Sequence, residues 1–324
     1  MSAWKLRASM LGTLVIIIGA STAFFAVLLG YFSSLNLILL VALVASFNII
    51  QWLFAPHLIN ALYKVREVKP SDSPKLHAMV ERLSRKSGIK MPKLGVANIP
   101  IPNAFAYGSP IAGTRVAVTT GLLETLEEEE VEAVLGHELG HLKHRDVQIM
   151  MLVSFLPSLV YIIGSSLLYS AYYRGGRRDG GGGATILIGM ASMAVYWVLL
   201  LFTLGLSRLR EYYADRHSAS VVDDGPRKLS EGLAKIVSKT GRMRISRRRE
   251  ASTFNSFKTL FISDPDKAER DAAEIAEYSS NLSDHVLVEH LLKRKVTTTD
   301  RIMELLSTHP NITKRLSALQ VLRT

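Results

Sequence analysis

The sequence predicts a mainly α, polytopic membrane protein: four apolar helices in two hairpins, carrying a cytoplasmic domain with a small β-sheet. Three observations predict it. Apolar residues make up 48% of the 324 and charged residues 21%, the mean hydropathy is +0.20, and the apolar residues are gathered into long runs. Lys and Arg outnumber Asp and Glu by 39 to 28. In a chain with such runs this excess marks cytoplasmic loops beside a bilayer rather than a nucleic-acid groove. Short β-like pieces bounded by Pro and Gly fall within residues 93–119. There is no cysteine, which excludes disulfide frameworks, cysteine nucleophiles and thiolate metal sites.

The first hairpin occupies residues 1–56. Leu11–Phe32 and Leu35–Ala55 are uncharged runs of 22 and 21 residues separated by Ser33 and Ser34. Each matches the roughly 20 residues that a helix needs to cross about 30 Å of hydrocarbon. Lys5 and Arg7 precede the first run as in a signal peptide, but no small-residue cleavage site precedes the second, so the segment reads as an uncleaved anchor. Positive charge flanks the pair on the outside (Lys5, Arg7; Lys64, Arg66, Lys69) and is missing from the turn. Both termini and everything after residue 56 are therefore expected in the cytoplasm.

Residues 57–146 read as the first part of the cytoplasmic domain. Its β-like pieces are Lys93–Ala97, Asn103–Tyr107 and Thr114–Thr119. A helix follows from about Thr125, with Glu127–Glu130 at the positive end of its dipole. Residues 147–206 form the second hairpin: Val147–Tyr173, with Pro157 as a kink, and Ala184–Leu206, joined by a glycine-rich turn that carries Arg174, Arg177 and Arg178. The alternative is a hairpin that stops short of crossing. Residues 207–324 complete the cytoplasmic domain with further helices.

On the helix from Thr125 stands His137-Glu-Leu-Gly-His141. Positions four apart differ by about 40° around a helix, so both imidazoles leave one face a turn apart and can reach one zinc ion at about 2.0–2.1 Å. Glu138 flanks that ion and is placed to take a proton from water at the metal. A catalytic zinc uses three protein ligands and an open position, so one is missing. Glu211 and Asp215, i and i+4 partners in Arg208-Leu-Arg-Glu-Tyr-Tyr-Ala-Asp215, offer it: Glu211 to the metal, Asp215 to orient a ligand histidine. The hairpin between them climbs and returns over comparable lengths, which brings Glu211 back to the depth of His141.

These motifs, with Pro102-Asn-Ala-Phe-Ala-Tyr-Gly108, Thr120-Gly-Leu-Leu123, His137 through Asp146, and Ser307-Thr-His-Pro310 followed by Arg315, cover most of the chain. It resembles the HtpX-type membrane zinc metalloproteases, relatives of the CAAX prenyl proteases. The resemblance implies a zincin-like protease domain and one zinc ion per chain on His137, His141 and Glu211. It further implies Glu138 as general base, Asp215 behind the ligands, and His309 and Arg315 near the developing oxyanion. Asn103, Ala104 and Phe105 would lie on a sheet edge that takes the substrate as an added strand. Substrates would be damaged or misassembled membrane proteins met at the cytoplasmic bilayer surface, with no role for nucleic acid. Asn311 departs from the family pattern, where a second proline often follows His-Pro.

Competing readings attach to several of these residues. Glu211 as an ordinary surface carboxylate would pair with Arg208, and His309 as a helix-start histidine would have no chemistry. His144 shares the face of His137 but lies a turn too far for the same ion, and Asp146 caps locally or pairs with Arg145 or a neighbouring helix. His57, His77, His217, His285 and His290 have no metal-like spacing. The arginine-rich segment 242–249 lacks interleaved aromatics and reads as a loop drawn to anionic headgroups. Phe254, Phe257, Leu260 and Phe261 form a helical apolar face, and Asp264–Glu277 an exposed acidic run. The rival functions are a prenyl-protein CAAX protease, whose known members carry more spans around a chamber, and a transporter or receptor with a structural zinc. A structural site would be closed by a fourth ligand.

Overall fold

The computed structural model describes residues 37–174, 182–246 and 283–323. Several expectations fall outside them: the first apolar run and its turn, most of the glycine-rich turn, Arg247–Arg249, the apolar face at 254–261 and the acidic run. Among the described residues, three helices are long and apolar enough to cross a membrane: Val41–Leu62, Asp146–Tyr173 and Gly183–Val221.

In chain order the elements are α1 (Leu37–Leu62), β1 (Val65–Glu67), α2 (Pro74–Ser87), β2 (Lys93–Ala97), β3 (Ala104–Ser109) and β4 (Gly113–Thr119). Then come α3 (Thr120–Thr125), α4 (Glu128–Lys143), α5 (Asp146–Arg174), α6 (Gly182–Val221), α7 (Gly225–Ser246), α8 (Asp284–Lys293), α9 (Thr298–Leu305) and α10 (Ile312–Val321). The chain divides into two compact units. One takes α1 up to Trp52 together with residues 148–206; the other takes Leu53–Val147 and the chain from Ser207.

Within the first unit, α5 and α6 approach closely through glycine. A Cβ on Gly164 would lie 2.8 Å from Met193 Cε, and one on Gly189 2.7 Å from Leu168 Cγ. Side chains of Tyr161 and Tyr196 pack against each other beside this contact, ring centroids 5.2 Å apart.

The second unit is built on one mixed sheet, ordered β1-β2-β4-β3. β2 and β4 are parallel, while β1 with β2 and β3 with β4 are antiparallel. β3 is thus an edge. The three expected β-pieces are present; β1, only three residues long, gave no periodic signal. α2 shows how local sequence sets the helices: Pro74 starts it, Gly88 ends it at φ 67° with its N–H on Arg85, and Leu76, Met79, Val80 and Leu83 bury one face. That face joins Val134, Leu135 and Leu139 of α4, Leu229 and Leu233 of α7, and Leu316 of α10 in the main core. Each such side chain contributes about 1.5–3 kcal/mol on burial.

Two boundaries differ from expectation. The helix after Thr125 is two helices: Thr119 caps the short α3, accepting from Leu122 N–H, and Glu127 opens α4 in a reciprocal capping box with Glu130. α4 stops at Lys143, Arg145 takes a left-handed φ of 54°, and α5 opens at Asp146, one residue before the expected start of the second hairpin.

Candidate metal centre

α4 presents its His-Glu-x-x-His face inward: His137 is fully buried and Glu138 is 4% exposed. On its other contact face α4 meets α6 through two glycines one turn apart. A Cβ on Gly136 would lie 3.1 Å from Ser218 Oγ, and one on Gly140 3.1 Å from Ala214 Cα. The backbones therefore come close where α6 carries Glu211 and Asp215, and Ser218 Oγ donates to Ala133 O at 2.6 Å to fix the contact.

His137 Nε2 and His141 Nε2 face each other at 3.1 Å. Glu211 Oε1 lies 3.5 Å from His141 Nε2, and Glu211 Oε2 3.8 Å from His137 Nε2. These three residues form a group whose donor atoms all lie within 4.8 Å of one another. Two ligands at about 2.0–2.1 Å from one tetrahedral ion stand roughly 3.4 Å apart, so the observed edges suit a small divalent cation. Charge supports the same conclusion. Four buried carboxylates, Glu138, Asp146, Glu211 and Asp215, face only two guanidinium groups, Arg210 and Arg315. Counted with the histidines neutral, as metal ligation requires, the deficit among the described residues is two positive charges.

With both Nε2 atoms facing inward, both Nδ1 atoms face carboxylates. His137 Nδ1 stands 2.9 Å from Asp215 Oδ1, and His141 Nδ1 2.7 Å from Asp146 Oδ2. Burial opposes charge on His141, but Asp146, Glu211 and Glu138 outweigh it and push its pKa up to about 9. The part of Asp146 was missed in the sequence. Its other oxygen accepts from Arg210 Nη2, which also donates to His144 O at 2.8 Å, so α6 holds both the end of α4 and the carboxylate behind His141. The turn at Arg145 makes this geometry, and no Gly or Pro announces it.

Arg315 is 1% exposed. Its Nε and Nη2 donate to Asp215 at 3.0 and 2.6 Å, and its Nη1 lies 3.1 Å from Glu211 Oε2. Burial works against its charge, but these two carboxylates raise its pKa above the ordinary arginine value. His309 Nδ1 lies 3.2 Å from the same Glu211 oxygen. Arg208 does not pair with Glu211. Its Nη1 donates to the carbonyls of Glu304, Leu305 and Ser307 at 2.7, 3.1 and 2.8 Å, anchoring the segment before His309. Asn311, the departure from the family pattern, caps α10 by accepting from Thr313 N–H at 2.9 Å.

His144 is not in the metal group; its ring packs near Tyr213 and His217. Asn103, Ala104 and Phe105 lie at the start of β3, which contacts α4. Asn103 is paired with Thr119 through Thr119 N–H to Asn103 O at 2.9 Å, so by strand alternation Phe105 and Tyr107 also bond to β4. Ala104, Ala106 and Gly108 turn their backbone N–H and C=O away from β4, to the side where β3 pairs with no strand among the described residues; Ala104 and Gly108 are buried there and Ala106 is half-buried. The Phe105 side chain packs between Tyr63 and Tyr107 rather than along that edge.

A model of peptidase family M48 matches residues 70–323. The chain is 36% identical to a protease HtpX homolog of Thermoplasma acidophilum, covering 98% of this chain and 97% of that protein. It is 41% identical to one of Aeropyrum pernix over 84% of this chain and 82% of that protein. Among solved structures, Ste24p of S. mikatae shares the fold at a TM-score of 0.58 and 15% identity, covering 98% of this chain and 66% of that one. With apolar helices of membrane-crossing length and a His-His-Glu group beside a buried glutamate, the chain belongs to peptidase family M48 and is a membrane metalloprotease.

Proposed function

We propose that the chain is a zinc endopeptidase that cleaves extended segments of membrane or misfolded proteins at the cytoplasmic bilayer surface, in membrane-protein quality control. The observation that carries this reading is the convergence of His137, His141 and Glu211 with Glu138 beside them, on a helix that also contacts the terminal strand of the sheet. In this reading the three residues hold the ion. When bound, zinc polarises a carbonyl and lowers the pKa of water toward 7.

The protein's own residues do the rest. Ala104, Ala106 and Gly108 bind the substrate main chain as an added strand at the β3 edge, with Asn103 and Phe105 fixing that edge from behind. Glu138, which has no hydrogen-bond or ion-pair partner among the described residues, takes the proton from the attacking water and delivers it to the leaving amine. Asp215 and Asp146 hold the two imidazoles in one tautomer. His309 faces the developing oxyanion. Arg315, whose guanidinium is engaged by Glu211 and Asp215, keeps both carboxylates oriented and adds positive charge beside that oxyanion. The Lys and Arg residues flanking the first hairpin support cytoplasmic termini and a cytoplasmic protease domain. Three protein donors leave a coordination position open, which favours catalysis over a structural zinc.

Wild type and Glu138→Gln, purified in detergent, test the reading. The variant keeps its zinc and loses cleavage of an unfolded protein by roughly 10²- to 10⁴-fold. Equal cleavage by both ends the mechanism.

A further inference from the structure

The β3–β4 hairpin lies alongside α1 in a register fixed by three contacts. The rings of Phe105 and Tyr63 have centroids 5.2 Å apart, Tyr107 OH donates to Asn60 Oδ1 at 2.5 Å, and Ser109 Oγ donates to Leu53 O at 2.8 Å. As β3 advances from 105 to 109, its partner on α1 retreats from 63 to 53. Four strand steps cover about 13 Å and ten helix steps about 15 Å, so the two elements run antiparallel and in step. The tip of the hairpin therefore points toward the N-terminal, apolar part of α1.

That tip reaches a defined depth. The uncharged run containing α1 extends to Ala55, and Leu53 lies inside it. Ser109 Oγ also accepts from Ala112 N–H at 3.1 Å, so the turn itself is tied to α1. At its summit Pro110 is exposed and Ile111 is 64% exposed. Phe54 and Leu58 of α1, at 58% and 57%, are likewise exposed at this level. An Ile and a Pro raised at the tip of a turn braced on Leu53 present exposed apolar surface at the level of the uncharged run.

We propose that this hairpin tip is a lipid anchor: Pro110 and Ile111 enter the bilayer at the boundary of headgroups and hydrocarbon. The unpaired edge of β3 then begins at the membrane surface, so a chain leaving the bilayer meets Gly108 first, then Ala106 and Ala104, once it has entered the cover over that edge. The anchor rests on the apolar helices crossing a bilayer; only its effect on cleavage rests on the proposed substrate edge.

The absence of native cysteine allows a direct depth measurement. Ile111→Cys and, as a control on an exposed loop, Lys90→Cys each receive a nitroxide label in nanodiscs of phosphatidylcholine and phosphatidylglycerol. At position 111 dissolved oxygen should relax the label more than a water-soluble nickel chelate, and at position 90 the order should reverse. Equal nickel accessibility at both positions overturns the anchor. Ile111→Asp should lower cleavage of a membrane-anchored substrate in nanodiscs by about tenfold and leave cleavage of soluble unfolded casein in detergent unchanged. Equal loss on both substrates would remove the anchor's role in delivery. A preparation that cleaves neither, wild type included, contradicts the proposed function instead, and the label depth still decides the anchor.

Discussion

Asp146 and Asp215 act on the two histidines from opposite sides, each holding an Nδ1 while the Nε2 atoms turn to the shared centre. Removing such a carboxylate usually weakens metal affinity 10- to 100-fold. We therefore expect Asp146→Ala, measured by competition with a chromophoric chelator, to bind zinc 10- to 100-fold more weakly with its helix content intact. Unchanged affinity would make Asp146 a cap alone. Arg315 has a different weight: its loss removes the guanidinium that the buried Glu211 and Asp215 share. Arg315→Ala should destabilise the metal-free protein by about 3–5 kcal/mol, read as a lowered thermal midpoint. At this scale the sequence was legible where spacing within one helix decides, as for the meeting of His137 and His141. Asp146 was illegible because its partners are chosen by the turn at Arg145.

α4 and α6 meet where glycine allows it, and that contact carries Glu211 to the histidines. Val at position 140 would push against Ala214 Cα and His217 Cβ, both 3.1 Å from where a Cβ would stand. Gly140→Val should therefore weaken zinc binding, although no donor is removed; full affinity by the same chelator competition would show that the helices tolerate separation. Gly121 in α3 is tighter still. A Cβ there would fall 2.1 Å from Pro100 O, against backbone that cannot move aside. Gly121→Ala should cost about 1–3 kcal/mol in a thermal melt, which gives the Thr-Gly-Leu-Leu motif a packing reason. β2, β3 and β4 were legible as short β-like pieces bounded by Pro and Gly. β1 was not, since three residues carry no period, and the break between α3 and α4 depended on caps within a continuous helical pattern.

Across the whole molecule, the carboxylate that completes the metal group stands on the same helix as the last apolar run. α6 is one helix of 40 residues that begins in the apolar run and ends beyond Asp215. The sequence suggested the return of Glu211 from matched run lengths, but composition could not reveal that no break separates the lipid-crossing part from the ligand. That continuity places Glu211 on a helix whose first part belongs to the other compact unit. The zinc content of wild type and Glu211→Ala, purified in the same detergent and matched in circular dichroism, tests this most directly. Wild type should hold about one zinc per chain and the variant almost none. Equal zinc in both would mean that another residue completes the site, and the metal centre described here would be wrong.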